Sequence, residues 1–220
     1  MKSDPRRFIW GPDGLTEAQE AALKRILEEG GLVAYPTDTL YGLGAHPKLP
    51  SALRKVYAAK GRAKEKPVSI ILSGLEALPC FVESAPRTLA LVSEAFWPGP
   101  VTVVLKAAES VSPEILGPGG TVAVRWPSSK PACALARLCG GGITATSANR
   151  AGEPAPVDPE EVCRTLGPLL DAVVDGGMLP ASLASTILDL AGAVPRILRE
   201  GAVSGRELAK LLPGLEVEPE

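Results

Sequence analysis

Residues 54–66 concentrate six cationic side chains, Arg54, Lys55, Lys60, Arg62, Lys64 and Lys66, against the single acid Glu65. Charge at that density calls for an anionic ligand, or else for the C-terminal dipole of a helix, which Lys and Arg complement. Three features favour the ligand. The charges run past Gly61, a helix breaker, into a loop. Lys60 and Arg62 alternate, and Pro67 then fixes the entry to an apolar run, VSIIL. A hydroxyl-rich turn, Thr37-Asp38-Thr39, lies upstream, where Pro36 closes another apolar run at 32–35. Such residues suit attack on a nucleotide phosphate, which requires neutralising the nucleotide and a departing pyrophosphate. Arg supplies a bidentate fork for that purpose and Lys a point charge.

Other chemistries are poorly served. The stretch GLGAHP lacks the third glycine of a dinucleotide fingerprint, and no Gly-Lys pair exists to make a Walker A loop. A Ser-His-Asp triad would have to use His46, the one histidine, which Pro47 follows directly. Four cysteines, Cys80, Cys133, Cys139 and Cys163, show no C-x-x-C pairing, so no structural metal site is expected. Free thiols of this kind are usually core residues. With neither a signal peptide nor a long apolar run, the expected setting is the reducing cytoplasm, away from membranes.

The 220 residues are 45% apolar and 22% charged, as in a globular α/β protein, with ample length for a buried core. A net charge of −2 excludes a bulk nucleic-acid coat, so any anion site must be a local patch. At 4% aromatic content, the chain also lacks interleaved rings for stacking bases.

The elements that position these residues alternate in type. Thr16 and Gln19 form a capping box for a helix ending at Gly30-Gly31. A strand follows at 32–35, then the polar turn with its close-approach glycines Gly42 and Gly44, a helix, the cationic loop and the strand VSIIL. Short helical segments are expected near 75–80 and 86–96, strands at 101–106 and 121–126, and a helix at 131–139. A strand at 143–146 leads into the turn Ser147-Ala148-Asn149. Asp158 caps a helix through Leu166, strands follow at 172–175, 186–190 and 196–198, and Ser204 starts a last helix to Leu212. Residues 150–159 hold Pro154, Pro156 and Pro159 and read as a mobile cover or a stiff connector. Gly117, Gly119 and Gly120 either offer backbone N–H groups to an anion or simply turn the chain. The alternation predicts a single α/β domain, a twisted mixed sheet flanked by helices around a concave, positively charged cavity. The expected division is an N-terminal arm over 1–14, the domain over 15–212 and a tail over 213–220.

The runs PTDTLYGLG and KGRAKEKP, followed in order by WPGPVT, TVAVRWP, TSANRAGEPAP, STILDL and ILREGAVS, resemble the YrdC-like threonylcarbamoyl-adenylate synthases. The resemblance covers roughly residues 15 to 205. It implies an enzyme, a nucleotidyltransferase, converting L-threonine, bicarbonate and ATP to threonylcarbamoyl-adenylate and pyrophosphate, for modification of tRNA by a separate transferase. ATP would carry Mg2+ on its phosphates, with Asp38 as an outer-shell contact. The resemblance places Lys60, Arg62, Ser147 and Asn149 in a catalytic tetrad, with Lys66, Thr121 and Arg199 as further ATP contacts. Arg125 would take the amino-acid carboxylate, and Thr39 or Ser185 its hydroxyl. From the residues alone, Arg125 also reads as an outward strand residue and Arg199 as an ion-pair partner of Glu200. The chain departs from the family at Ala63 (usually Pro), Ile71 (often His) and Ala155 (often Ser). Some relatives carry an extra C-terminal domain, which a chain of this length is not expected to have. Two competing functions are an RNA-binding or ribosome-maturation module, with weak affinity for tRNA or double-stranded RNA, and a carbamoyl-handling relative of hydrogenase-maturation proteins.

Overall fold

A computed structural model of the chain describes residues 4–61 and 67–217. The strands are β1 (Arg6–Ile9), β2 (Val33–Pro36), β3 (Tyr41–Gly44), β4 (Ser69–Leu72), β5 (Val101–Lys106), β6 (Thr121–Arg125), β7 (Gly142–Ser147), β8 (Ala172–Asp175), β9 (Thr186–Asp189), β10 (Arg196–Arg199) and β11 (Glu216–Val217). They join in one sheet in the order β1-β8-β2-β3-β7-β4-β6-β5-β9-β10-β11. Parallel and antiparallel neighbours mix, as expected: β4 runs parallel to β6 but antiparallel to β7.

Helices α1 (Glu17–Glu28), α2 (Pro50–Lys60), α3 (Arg87–Phe96), α4 (Lys130–Leu138), α5 (Pro159–Leu166) and α6 (Gly205–Ala209) flank the sheet. Thr16 and Gln19 close their capping box, Asp158 caps α5, and Gly61 ends α2 in the left-handed region at φ 58°. The last helix is shorter than its expected reach to Leu212. The segment at 75–80 is a 3-10 helix, with Pro79 inside it denying a backbone donor.

The strands' period of two sorts side chains into two cores. Leu32, Ala34, Leu43, Ile70, Leu72, Val103, Val122, Val124 and Leu188 face one core with Leu53 of α2, Val92 of α3 and Val162 of α5. Val33, Tyr35, Ile71, Ile143 and Val174 face the other, under Leu23 and Leu27 of α1 and Leu135 and Ala136 of α4. On this second face, beyond the cover of α1 and α4, the strands carry smaller and more polar residues, and the site lies there.

Three expectations change. The stretch after the Thr37-Asp38-Thr39 turn is a strand, β3, not an irregular lead into the helix. Its glycines hid it: a Cβ on Gly44 would meet Tyr35 Cε1 at 2.6 Å and the Thr144 carbonyl oxygen at 2.8 Å. Glycine there lets the Tyr35 ring cross the hairpin and donate to Thr144 O at 2.9 Å. The expected N-terminal arm contributes β1, parallel to β8, and Arg7 ties it to Asp175 and to Glu160 at the start of α5. The expected tail contributes β11, parallel to β10.

Candidate active site

Cross-strand register builds the site. Ile71 is paired with Arg125, Ser69 with Ala145, Gly42 with Ser147, and Thr102 with Ile187. All of these line one cavity of about 380 Å3, together with Thr37, Thr39, Ala123, Asn149, Glu153, Ala155, Ser185 and Arg199. In TVAVR, the valines Val122 and Val124 enter the core while Ala123 and Arg125 enter the cavity. In VTVV, Thr102 is the cavity residue between Val101 and Val103. A second cavity, about 490 Å3, lies between Trp10, Trp126 and α4 and contains none of the residues expected to do chemistry.

Arg125 is 6% exposed and turned into the cavity rather than outward. Its Nε donates to Gly99 O at 3.0 Å, its Nη1 to Thr39 Oγ1 at 3.3 Å, and its Nη2 to Asp38 Oδ1. Asp38 is therefore engaged in an ion pair with Arg125. Thr37 and Thr39 share a hydroxyl–hydroxyl hydrogen bond at 3.1 Å, and Thr37 Oγ1 donates to Leu40 O, closing the turn. Ser185 Oγ and Thr102 Oγ1 are 2.9 Å apart, and Arg199 Nη2 donates to the Ser185 carbonyl at 2.7 Å. Arg199 thus belongs to the cavity. Glu200, its alternative partner, instead accepts from Gly205 N.

Lys60, at the end of α2, is 4% exposed. Its ammonium donates to Asn149 Oδ1 and to Ser147 O, both at 2.7 Å, and to Ser147 Oγ at 3.2 Å. It stands behind the cavity wall and fastens the turn whose Ser147 and Asn149 form that wall. Arg62 and Lys66 lie outside the described residues. Thr121 does not reach the cavity: its hydroxyl donates to Pro118 O. The glycines before it make a turn. Gly119 and Gly120 have φ of 66° and 71°, and the N–H groups of Gly117 and Gly120 are spent on Thr121 O and Gly117 O.

The loop after Asn149 folds over the wall. Ala151 N donates to Lys60 O, Glu153 N to Arg150 O, and Asn149 Nδ2 to Glu153 O. Its second half is pinned, since Tyr41 N donates to Pro156 O and Leu179 N to Val157 O. Tyr41 itself bridges to the next loop, donating its hydroxyl to Gly177 O, and burial pushes that phenol up to about 12.

Among the described residues, no cluster of three or more His, Cys, Asp or Glu side chains could hold a metal ion. His46 lies away from the cavity, where burial lowers its pKa and its Nδ1 accepts from Lys48 N. Cys133 and Cys139 are buried, Cys163 is partly covered and Cys80 is exposed, so half of the expected buried thiols are fully so. No described helix is long and apolar enough to cross a membrane. Sequence reasoning overlooked Thr102 and the Asp38–Arg125 pair. The alternation of VTVV marks Thr102, but nothing local marks a partnership between positions 87 residues apart.

Residues 25–201 match the family model Sua5/YciO/YrdC, which carries the description "Telomere recombination". The chain belongs to this family. It is 35% identical over 193 residues to the threonylcarbamoyl-AMP synthase of Pyrococcus abyssi, covering 88% of this chain and 57% of that protein. It is 35% identical over 202 residues to the Bacillus subtilis threonylcarbamoyl-AMP synthase, covering 91% and 58% respectively. The chain therefore spans less than two thirds of these relatives' own lengths. The crystal structure of P. abyssi Sua5 complexed with L-threonine superposes with a TM-score of 0.90 at 31% identity, covering 99% of this chain and 63% of that one.

Proposed function

We propose that this chain is a threonylcarbamoyl-AMP synthase, a nucleotidyltransferase acting on L-threonine, bicarbonate and ATP. The observation that carries the reading is one cavity joining a buried arginine and the hydroxyls of Thr37, Thr39, Thr102 and Ser185 to Ser147 and Asn149. Arg125 is assigned to the amino-acid carboxylate, and Thr39 or Ser185 to the side-chain hydroxyl. Ser147, Asn149 and Arg199 are assigned to ATP, helped by Arg62 and Lys66, which follow α2 in the sequence. Thr121, outside the cavity lining, is set aside. Supporting the assignment, the relatives of Pyrococcus abyssi and Bacillus subtilis bear the synthase name, and a neighbouring structure holds L-threonine.

The chemistry is positioning and charge stabilisation. The threonine amine and bicarbonate form a carbamate and water. A carbamate oxygen then attacks the α-phosphorus of ATP, forming one P–O bond while the bond to pyrophosphate breaks and pyrophosphate keeps the electron pair. ATP enters as its magnesium complex, the ion held by phosphate oxygens as part of the substrate. Arginine and lysine side chains offset the charge gathering on pyrophosphate. The mixed anhydride product is the substrate of a separate transferase that modifies tRNA. The deciding experiment is pyrophosphate release from ATP with each amino acid, with and without bicarbonate. Release that requires threonine and bicarbonate together supports the assignment; release indifferent to either overturns it.

A further inference from the structure

We infer that Asp38 is a positioning residue for the amino-acid substrate, acting entirely through Arg125; this rests on the assignment of the cavity to threonine. Asp38 does not line the cavity, and its side chain is 12% exposed against 7% for Arg125. A guanidinium has five N–H groups. Here Gly99 O, Thr39 Oγ1 and Asp38 Oδ1 take one each from Nε, Nη1 and Nη2. Two remain, one on each terminal nitrogen, and are left for a ligand carboxylate.

The second oxygen of Asp38 is held as well. It accepts from Ser128 N at 3.4 Å and Ser128 Oγ at 3.3 Å, and the adjoining Ser129 donates its hydroxyl to Pro36 O at 2.7 Å. Asp38 is thus a strut between the β2–β3 turn, the end of β6 and the entry to α4. It sets the plane of the guanidinium by a bond at one edge. It also cancels most of the charge of Arg125 before any ligand arrives. A buried, unpaired arginine attracts any small anion, whereas a paired one rewards a ligand that meets its two free N–H groups in the correct plane. The site therefore discriminates by hydrogen-bond geometry and not by charge alone.

The test is Asp38→Asn, nearly the same shape without the charge. The expected result is a KM for threonine raised by about tenfold or more, since a charged hydrogen bond is lost. The loss should fall on threonine KM and not on kcat or on the KM for ATP. Sulfate should compete with threonine in Asp38→Asn and leave the wild-type protein unaffected at the same concentration. Asp38→Glu, which keeps the charge, should restore resistance to sulfate. Ser128→Ala, which loosens the strut without touching the ion pair, is a second variant and should raise threonine KM by a smaller factor. An Asp38→Asn protein with unchanged threonine KM and no sulfate competition overturns the inference while leaving the assigned activity standing. If Asp38→Asn does not fold, an unchanged threonine KM in Ser128→Ala overturns it. Wild-type protein that neither binds threonine by calorimetry nor turns it over removes both.

Discussion

The ammonium of Lys60 and the side-chain oxygen of Asn149 lie 2.7 Å apart, 89 residues distant in sequence. The bond joins the end of α2 to the turn after β7 and so ties that helix to the polar wall of the cavity. Lys60→Met should strand the buried acceptor Asn149 Oδ1 and the partly buried Ser147 O, and cost about 1–3 kcal/mol. For a chain of this size, each kcal/mol lowers Tm by roughly 2–4 °C. ATP-dependent pyrophosphate release should fall with it. A variant that melts like the wild type yet is inactive would show instead that Lys60 acts on the nucleotide directly.

Ser147→Ala and Asn149→Ala should weaken ATP more than threonine. Both residues line the cavity, and the Asn149 amide additionally donates to Glu153 O. Calorimetry with a non-hydrolysable ATP analogue reads the effect. Equal losses for the two ligands, or none for ATP, would place the nucleotide elsewhere.

Arg62→Ala should abolish turnover while changing stability by no more than about 0.5 kcal/mol. The motive is its place in the run of six cations between residues 54 and 66. A folded Arg62→Ala protein with full pyrophosphate release would move the phosphate-binding role to other cations.

How much of this was legible beforehand depends on how local each cause is. Caps at Thr16, Asp158 and Ser204 use neighbours within three residues, and they stand as read. Likewise, V-T-V-V and T-V-A-V-R announce strands by alternation alone. The strand β3 was obscured because Gly42 and Gly44 weaken any local strand signal, and their reason is the Tyr35 ring on the neighbouring strand. The arm strand Arg-Arg-Phe-Ile needs β8 beside it and the Arg7–Asp175 contact to be stable at all. Arg125, Ser147 and Asn149 were found by their resemblance, while their partners Asp38 and Lys60 took on their observed roles only through the register of the sheet.

Stability should fall in alkaline solution. Burial raises the pKa of Tyr35, and it pushes the Tyr41 phenol and the Cys139 thiol up to about 12 from ordinary values of 10.0 and 9.0. A folded-state pKa above the unfolded one means the folded protein keeps its proton while the unfolded chain releases it. The stabilisation is therefore whole below about pH 9 and drains away as pH rises toward 12. Urea midpoints at pH 8, 10 and 11 should decline in that order, and Cys139→Ala should flatten the decline. A midpoint as high at pH 11 as at pH 8 would contradict the burial of these groups.

The 151–155 part of the loop after Asn149 should be cut by protease in the free protein and protected by ATP with threonine. Its tip is exposed, while Pro156 and Val157 are anchored by backbone hydrogen bonds, so closure would pivot on the tip alone. Covering a water-labile carbamate is the benefit. Equal cutting with and without both substrates would make the loop a stiff connector.

Leu32 and Asp171 touch across a gap of 139 residues, because β8 slots between β1 and β2. A ribosome makes these strands in a different order from the one in which they pair. At about 5–20 residues per second, the early strands wait roughly 7–30 s for that neighbour to be synthesised. Likewise β3 and β4 wait for β7. During translation the first half of the chain therefore holds open strand edges and no finished cavity. The cavity is complete only once residues up to Arg199 have left the exit tunnel, and the strand edges stay open in the meantime.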